Sequence, residues 1–135
     1  MIRVALIDDH AMVRAGFRML LEKEPGIEVV GEAEDGEQGL ALLRRLRPDV
    51  ALLDLHMPGL TGIEVTERVR RADLPTRLII LTVAGEAPFP RRLLEAGASG
   101  YLIKAGPPSE LVQAVRQVAD GRRFGAGVRS ASSID

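Results

Sequence analysis

The segment Val50-Ala51-Leu52-Leu53-Asp54-Leu55-His56-Met57-Pro58-Gly59 carries an apolar run into an acid and then opens onto a Pro-Gly turn. A carboxylate at the end of a buried strand is costly unless a partner or an ion uses it. The same arrangement recurs near the amino terminus, where Val4-Ala5-Leu6-Ile7 leads directly into Asp8 and Asp9. If these two runs are parallel neighbours in a sheet, three carboxylates share one crevice. Charges held that close either take up protons or hold a cation.

Working outward, three further apolar runs complete a series: Ile27–Ala33, Leu78–Val83 and Gly100–Ile103. Several of the runs are nearly all aliphatic, the pattern of strands covered on both faces. Between them the spacing predicts helices. Val13, Phe17, Leu20 and Leu21 repeat at helical intervals, as do Gly39, Leu42, Leu43 and Leu46, and Leu111, Val115 and Val118. Asp35-Gly36-Glu37-Gln38 and Thr61-Gly62-Ile63-Glu64 fit capping boxes. Pro25-Gly26, Pro48, Pro75, Gly97 and Gly121 stand where helices should stop. The third helix, Thr61–Arg71, is read from its cap alone, and the fourth is a short one near Pro90–Ala96.

Strict strand–helix alternation predicts an α/β fold, a five-stranded parallel sheet with helices on both faces. In the doubly wound order 2-1-3-4-5, strands 1 and 3 are adjacent and sites form beyond their carboxyl ends. That order gathers Asp8, Asp9 and Asp54. It also brings Thr82, ending strand 4, and Lys104, following strand 5, to the same edge.

Composition sets the bounds. A chain of 135 residues, 46% apolar and 27% charged, is read as one soluble domain. A net charge of −1 gives no global pull toward nucleic acid or anionic membrane. Zero cysteines exclude disulfides and thiolate metal sites. The apolar stretch after Met1 stops at Asp8, too short for a signal peptide, and no run approaches the ~20 apolar residues of a membrane span. The expected location is cytoplasmic.

Three carboxylates and the carbonyls of the following turn offer hard oxygen ligands suited to Mg²⁺. Zinc fits poorly, since His10 and His56 are the only imidazoles. With a metal in place, one carboxylate can attack an activated phosphoryl group and form an aspartyl phosphate. A lysine and a threonine hydroxyl across the site can meet the transferring oxygens. Taken singly, each residue has an ordinary reading. Asp8 and Asp9 could cap a helix, Asp54 could begin a turn, Thr82 could bond to backbone, and Lys104 could be solvated. Four strand ends each supplying a suitable group make the conjunction informative.

These residues carry a resemblance. Asp8-Asp9, Asp54 with Met57-Pro58-Gly59 and Gly62, Thr82, Gly97-Ala98-Ser99-Gly100-Tyr101 and Lys104 together resemble a response-regulator receiver domain of two-component signalling, over residues 2 to about 124. The helix-turn-helix branch of NarL/FixJ type is the most similar. Thr82-Val83 followed by Pro88-Phe89-Pro90-Arg91-Arg92-Leu93-Leu94 resembles regulators of the GacA/UvrY kind. The resemblance implies a flavodoxin-like, CheY-like fold. It implies that Asp54 accepts a phosphoryl group from a sensor histidine kinase or phosphotransfer domain. Asp9, Asp54 and the His56 carbonyl would hold Mg²⁺ directly, with Asp8 acting more through water. Lys104 would contact the phosphoryl group, Thr82 would move toward it, and Tyr101 would turn inward. Homodimerisation on activation is expected.

There are departures. Val83 is bulkier than the Ala, Gly or Ser common after the threonine, which should narrow access to Asp54. His56 and Ala84 occupy positions that tune the lifetime of the phosphorylated state in such domains. After Gly121 the chain becomes rich in Gly, Ser and Arg. The expected division is therefore a receiver over 1–121 and a flexible linker or tail over 122–135. A DNA-binding domain following that linker would make the parent a transcription regulator; a stand-alone single-domain receiver is the alternative. The pairs Arg44-Arg45, Arg70-Arg71 and Arg91-Arg92 read as solvated helix faces.

Two rivals of other classes have clear tests. A Mg²⁺-dependent phosphatase with an aspartate nucleophile usually carries a second acid two residues on, where this chain has His56. Turnover of a phosphate ester that is lost in Asp54→Ala would revive it. A flavin-binding module needs a backbone phosphate cradle after strand 1, where Asp8-Asp9-His10 stands instead. Co-purifying flavin absorbance would restore that reading.

Overall fold

A computed structural model describes residues 1–83 and 90–125. Ala84, the Pro88-Phe89 part of the motif and residues 126–135 of the tail lie outside the described residues. Five strands and five helices alternate: β1 Ile2–Ile7, α1 Ala11–Glu22, β2 Ile27–Ala33, α2 Gly36–Leu46, β3 Val50–Asp54, α3 Gly62–Arg71, β4 Arg77–Thr82, α4 Pro90–Ala96, β5 Gly100–Ile103 and α5 Pro108–Ala119. All pairings are parallel and the strand order is β2-β1-β3-β4-β5, as the alternation predicts.

The two-residue period of the strands sorts their side chains into two cores. Val4, Leu6, Val50, Leu52, Ile79 and Leu81 face α1 and α5, meeting Leu21, Leu111, Val115 and Val118. Ala5, Ile7, Ala51, Leu53, Leu78 and Ile80 face α2, α3 and α4, meeting Leu43, Val65, Val69 and Leu93. Leu52 and Leu53 are both fully buried because neighbouring positions on a central strand each reach a core. Each such leucine contributes roughly 1.5–3 kcal/mol by leaving water.

The caps form largely as the sequence implies. Thr61 and Glu64 make a full capping box at α3, and the Asp35 side chain accepts from Gln38 N–H at 2.8 Å to start α2. Arg70, on α3, is more than a solvated charge: its guanidinium donates to the Glu95 carbonyl at the end of α4, at 2.5 Å.

Beyond α5 the chain returns to the sheet. Phe124 is 1% exposed and belongs to the α1/α5 core. Its N–H donates to Ser99 O at 3.1 Å, and its carbonyl accepts from Tyr101 N–H at 2.8 Å. This parallel bridge joins it to β5 at Gly100. Phe124 and Gly125 are therefore buried against the sheet edge, whereas Arg122 and Arg123 before them are exposed. A large apolar side chain within a Gly- and Arg-rich stretch finds the core once α5 has turned it back.

Candidate functional site

Register brings the acids together. Ile7, the last residue of β1, lies beside Leu53 of β3, so Asp8 and Asp9 emerge where Asp54 closes its strand. Asp8 and Asp54 are buried, at 1% and 3% exposure, and Asp9 is exposed. One donor atom from each of Asp8, Asp9, His10 and Asp54 lies within 4.8 Å of the others.

Lys104 follows β5, and its backbone N–H donates to Thr82 O at 2.8 Å, which ties these two residues to one level of the edge. Its ammonium donates to Asp54 Oδ2 at 3.0 Å. It also forms an ion pair with Asp8 Oδ2, at 3.0 Å. Thr82 is 1% exposed, and among the described residues its Oγ1 has no hydrogen-bond partner. A buried hydroxyl left without a partner costs about 1–3 kcal/mol. Val83, just beyond it, is more than half exposed at the rim.

The electrostatics follow from that packing. Burial pushes the Asp54 carboxyl above its ordinary value; the Lys104 hydrogen bond opposes the rise and the Asp8 charge adds to it. Burial alone would lower the Lys104 ammonium. The hydrogen bonds and charges of Asp54 and Asp8 outweigh it and raise that group above its ordinary value.

His56 follows in the turn, its backbone N–H donating to Asp54 Oδ1 at 3.3 Å. Tyr101 sits in β5 opposite Ile80, half-buried against the α2/α3/α4 core. The structure thus joins Asp8, Asp9, Asp54 and Lys104 directly and sets Thr82 beside Lys104 through the backbone. It also adds His10, to which the sequence assigned no place in the site. His10 Nδ1 lies 3.1 Å from Asp8 Oδ1, 3.3 Å from Asp9 Oδ1 and 3.9 Å from Asp54 Oδ2. The available signal was its place: it precedes α1 at the cap, where Ser, Thr, Asp or Asn is usual.

A doubly wound α/β protein with buried carboxylates and a lysine at the carboxyl edge of its sheet is a class of its own. Within that class the chain belongs to the response regulator receiver domain family, whose model matches residues 4–116. It is 45% identical to the response regulator GacA of Pseudomonas aeruginosa over 124 residues, 92% of this chain and 58% of that protein. It is 46% identical to the response regulator UvrY of Escherichia coli, again over 92% of this chain but 57% of the relative. The chain therefore spans somewhat over half the length of these relatives. The signal receiver domain of the NarL regulator from Mycobacterium tuberculosis superposes with a TM-score of 0.85 at 40% identity, covering 90% of this chain and 98% of that one. The isolated receiver domain of RcsB from Salmonella enterica, solved with the phosphomimetic BeF3⁻, gives 0.83 at 30% identity over 92% of each chain.

The donors fit a hard divalent cation. The set is rich in carboxylate oxygen, and two of its three acids are buried, where one lysine ammonium leaves their charge incompletely balanced. No helix among the described residues is long and apolar enough to cross a membrane.

Proposed function

We propose that Asp54 is the phosphoacceptor of a signalling switch, and that the protein is a phospho-accepting regulator rather than an enzyme with a separate substrate. The observation that carries this is the buried Asp54 carboxylate, hydrogen-bonded by Lys104 at 3.0 Å and set among two further acids. An Asp54 oxygen attacks the phosphorus of a phosphohistidine on a sensor kinase or phosphotransfer domain. The phosphorus–nitrogen bond breaks, and the imidazole leaves with that electron pair and takes up a proton. Asp8, Asp9, Asp54 and the His56 backbone carbonyl would hold Mg²⁺, which when bound neutralises phosphoryl oxygens. Lys104 meets another of those oxygens. Thr82 Oγ1, buried and without a described partner, offers a hydrogen bond to a third.

Contacts made only with the phosphoryl group in place bias β4, β5, α4 and α5 toward a second arrangement, with Tyr101 turning inward. That shift presents a changed face to a second copy of the chain, giving a homodimer. In a cytoplasmic parent it would act on transcription through a DNA-binding domain. The receiver unit then reaches at least to Gly125.

Intact-mass measurement after acetyl phosphate and Mg²⁺ tests the assignment. Wild type should gain one phosphoryl group and Asp54→Asn none; full labelling of Asp54→Asn would refute it. Lys104→Ala should label but lose the dimerisation response, and an unchanged response would remove that lysine from the mechanism.

A further inference from the structure

We infer that the bridge between β5 and Phe124-Gly125 reports the state of the switch: it is closed in the unphosphorylated protein and loosens when Asp54 carries a phosphoryl group. The inference rests on the phosphoacceptor and Tyr101 readings above and extends them to the segment beyond α5.

Strand β5 is held on two sides. On one, Tyr101 pairs with Ile80 and Ile103 with Thr82 of β4. On the other, Tyr101 N–H donates to Phe124 O at 2.8 Å and Phe124 N–H donates to Ser99 O at 3.1 Å. The two aromatic residues are anchored in different cores. Phe124 lies in that of α1 and α5, and Tyr101 packs against that of α2, α3 and α4. The fit between them is close. A Cβ on Gly100 would stand 3.2 Å from Phe124 O, and one on Gly125 would stand 3.0 Å from Tyr101 O and 3.1 Å from Tyr101 Cβ. Elements packed this tightly change between discrete arrangements and do not stretch.

Phosphorylation acts on the β4 side of this clamp. In the reading above Thr82 moves toward the phosphoryl group, and the Lys104 N–H bonded to Thr82 O carries the end of β5 with it. Tyr101 turns toward the α2/α3/α4 core. Phe124 stays behind, its ring fully buried in the α1/α5 core. The bond from Tyr101 to Phe124 is where the two anchors part, so it is the contact that gives. Coupling of this kind is reciprocal: if phosphorylation weakens the bridge, weakening the bridge favours the phosphorylated arrangement by the same factor.

Amide hydrogen exchange of the whole chain in Mg²⁺, with and without the phosphoryl mimic beryllofluoride, reads the bridge directly. The amides of Tyr101 and Phe124 should exchange about fivefold or more faster with the mimic bound. Gly125→Ala keeps Phe124 but sets a Cβ against Tyr101 at a φ of +154°. It should bind beryllofluoride about fivefold more tightly, followed by ¹⁹F nuclear magnetic resonance. Gly26→Ala is also strained, at a φ of +85°, but precedes β2 on the far edge of the sheet. It controls for lost stability and should bind like wild type. Exchange that is unchanged or slowed, Gly125→Ala no tighter than wild type, or equal tightening in Gly26→Ala would overturn the inference and leave the phosphoacceptor standing. Beryllofluoride that fails to bind, or binds Asp54→Asn as it does wild type, would overturn the phosphoacceptor and the inference with it.

Discussion

At Asp54, stability and chemistry pull in opposite directions. The side chain is buried, and burial raises its carboxyl even though Lys104 donates to it. A group whose folded-state pKa is raised holds its proton more tightly folded than unfolded. Its contribution is present below the ordinary carboxylate range and is lost as pH rises through the raised value. The neutral variant Asp54→Asn should therefore melt above wild type in metal-free buffer at neutral pH, by roughly 1 kcal/mol or a few degrees. The advantage should shrink as pH falls toward the ordinary carboxylate range. Melts followed by circular dichroism with chelator present check this; a variant less stable at neutral pH would mean that the Lys104 bond outweighs desolvation.

Among the elements, α3 shows how a helix can be built almost without apolar periodicity. Its buried positions are Gly62, Val65, Thr66 and Val69, a helical stripe in which two of the four side chains are not hydrophobic. Thr66 is admitted because its hydroxyl donates to Gly62 O at 2.7 Å. Gly62 is there because the helix end approaches β3: a Cβ would stand 2.7 Å from Asp54 O and 2.9 Å from Leu55 Cα. Gly62→Ala would gain somewhat under 1 kcal/mol of helix propensity. The backbone clash costs more, about 1–3 kcal/mol, and it displaces the residue that carries the acid. The variant should unfold at lower urea and label more slowly with acetyl phosphate. Wild-type stability and labelling would show that α3 can slide without moving Asp54.

For the molecule as a whole, the packed unit is closed by Phe124, not by the glycine that ends α5. Gly125 follows with φ of +154°, and a Cβ there would meet Tyr101 O at 3.0 Å. Truncation after Gly121 removes a fully buried aromatic and should cost about 3–5 kcal/mol, as should Phe124→Ala. Truncation after Gly125 retains Phe124 and should avoid that loss. Urea unfolding of the three proteins checks the boundary; equal midpoints would return it to Gly121.

Much of this was legible in the chain alone. Aliphatic runs that end in acids, helical spacing and caps are local patterns, and local sterics and burial convert them directly into strands, helices and their order. The order then implies that Asp8, Asp9, Asp54, Thr82 and Lys104 share an edge. Three features needed the assembled molecule: the His10 ring turned among the acids, the buried Asp8 oxygen beside Lys104, and the return of Phe124 to β5. The first is a side-chain orientation that sequence spacing does not specify, and the other two depend on distances between separate elements. Those distances are set by sheet register and by the packing of α1 and α5, which no spacing along the sequence encodes.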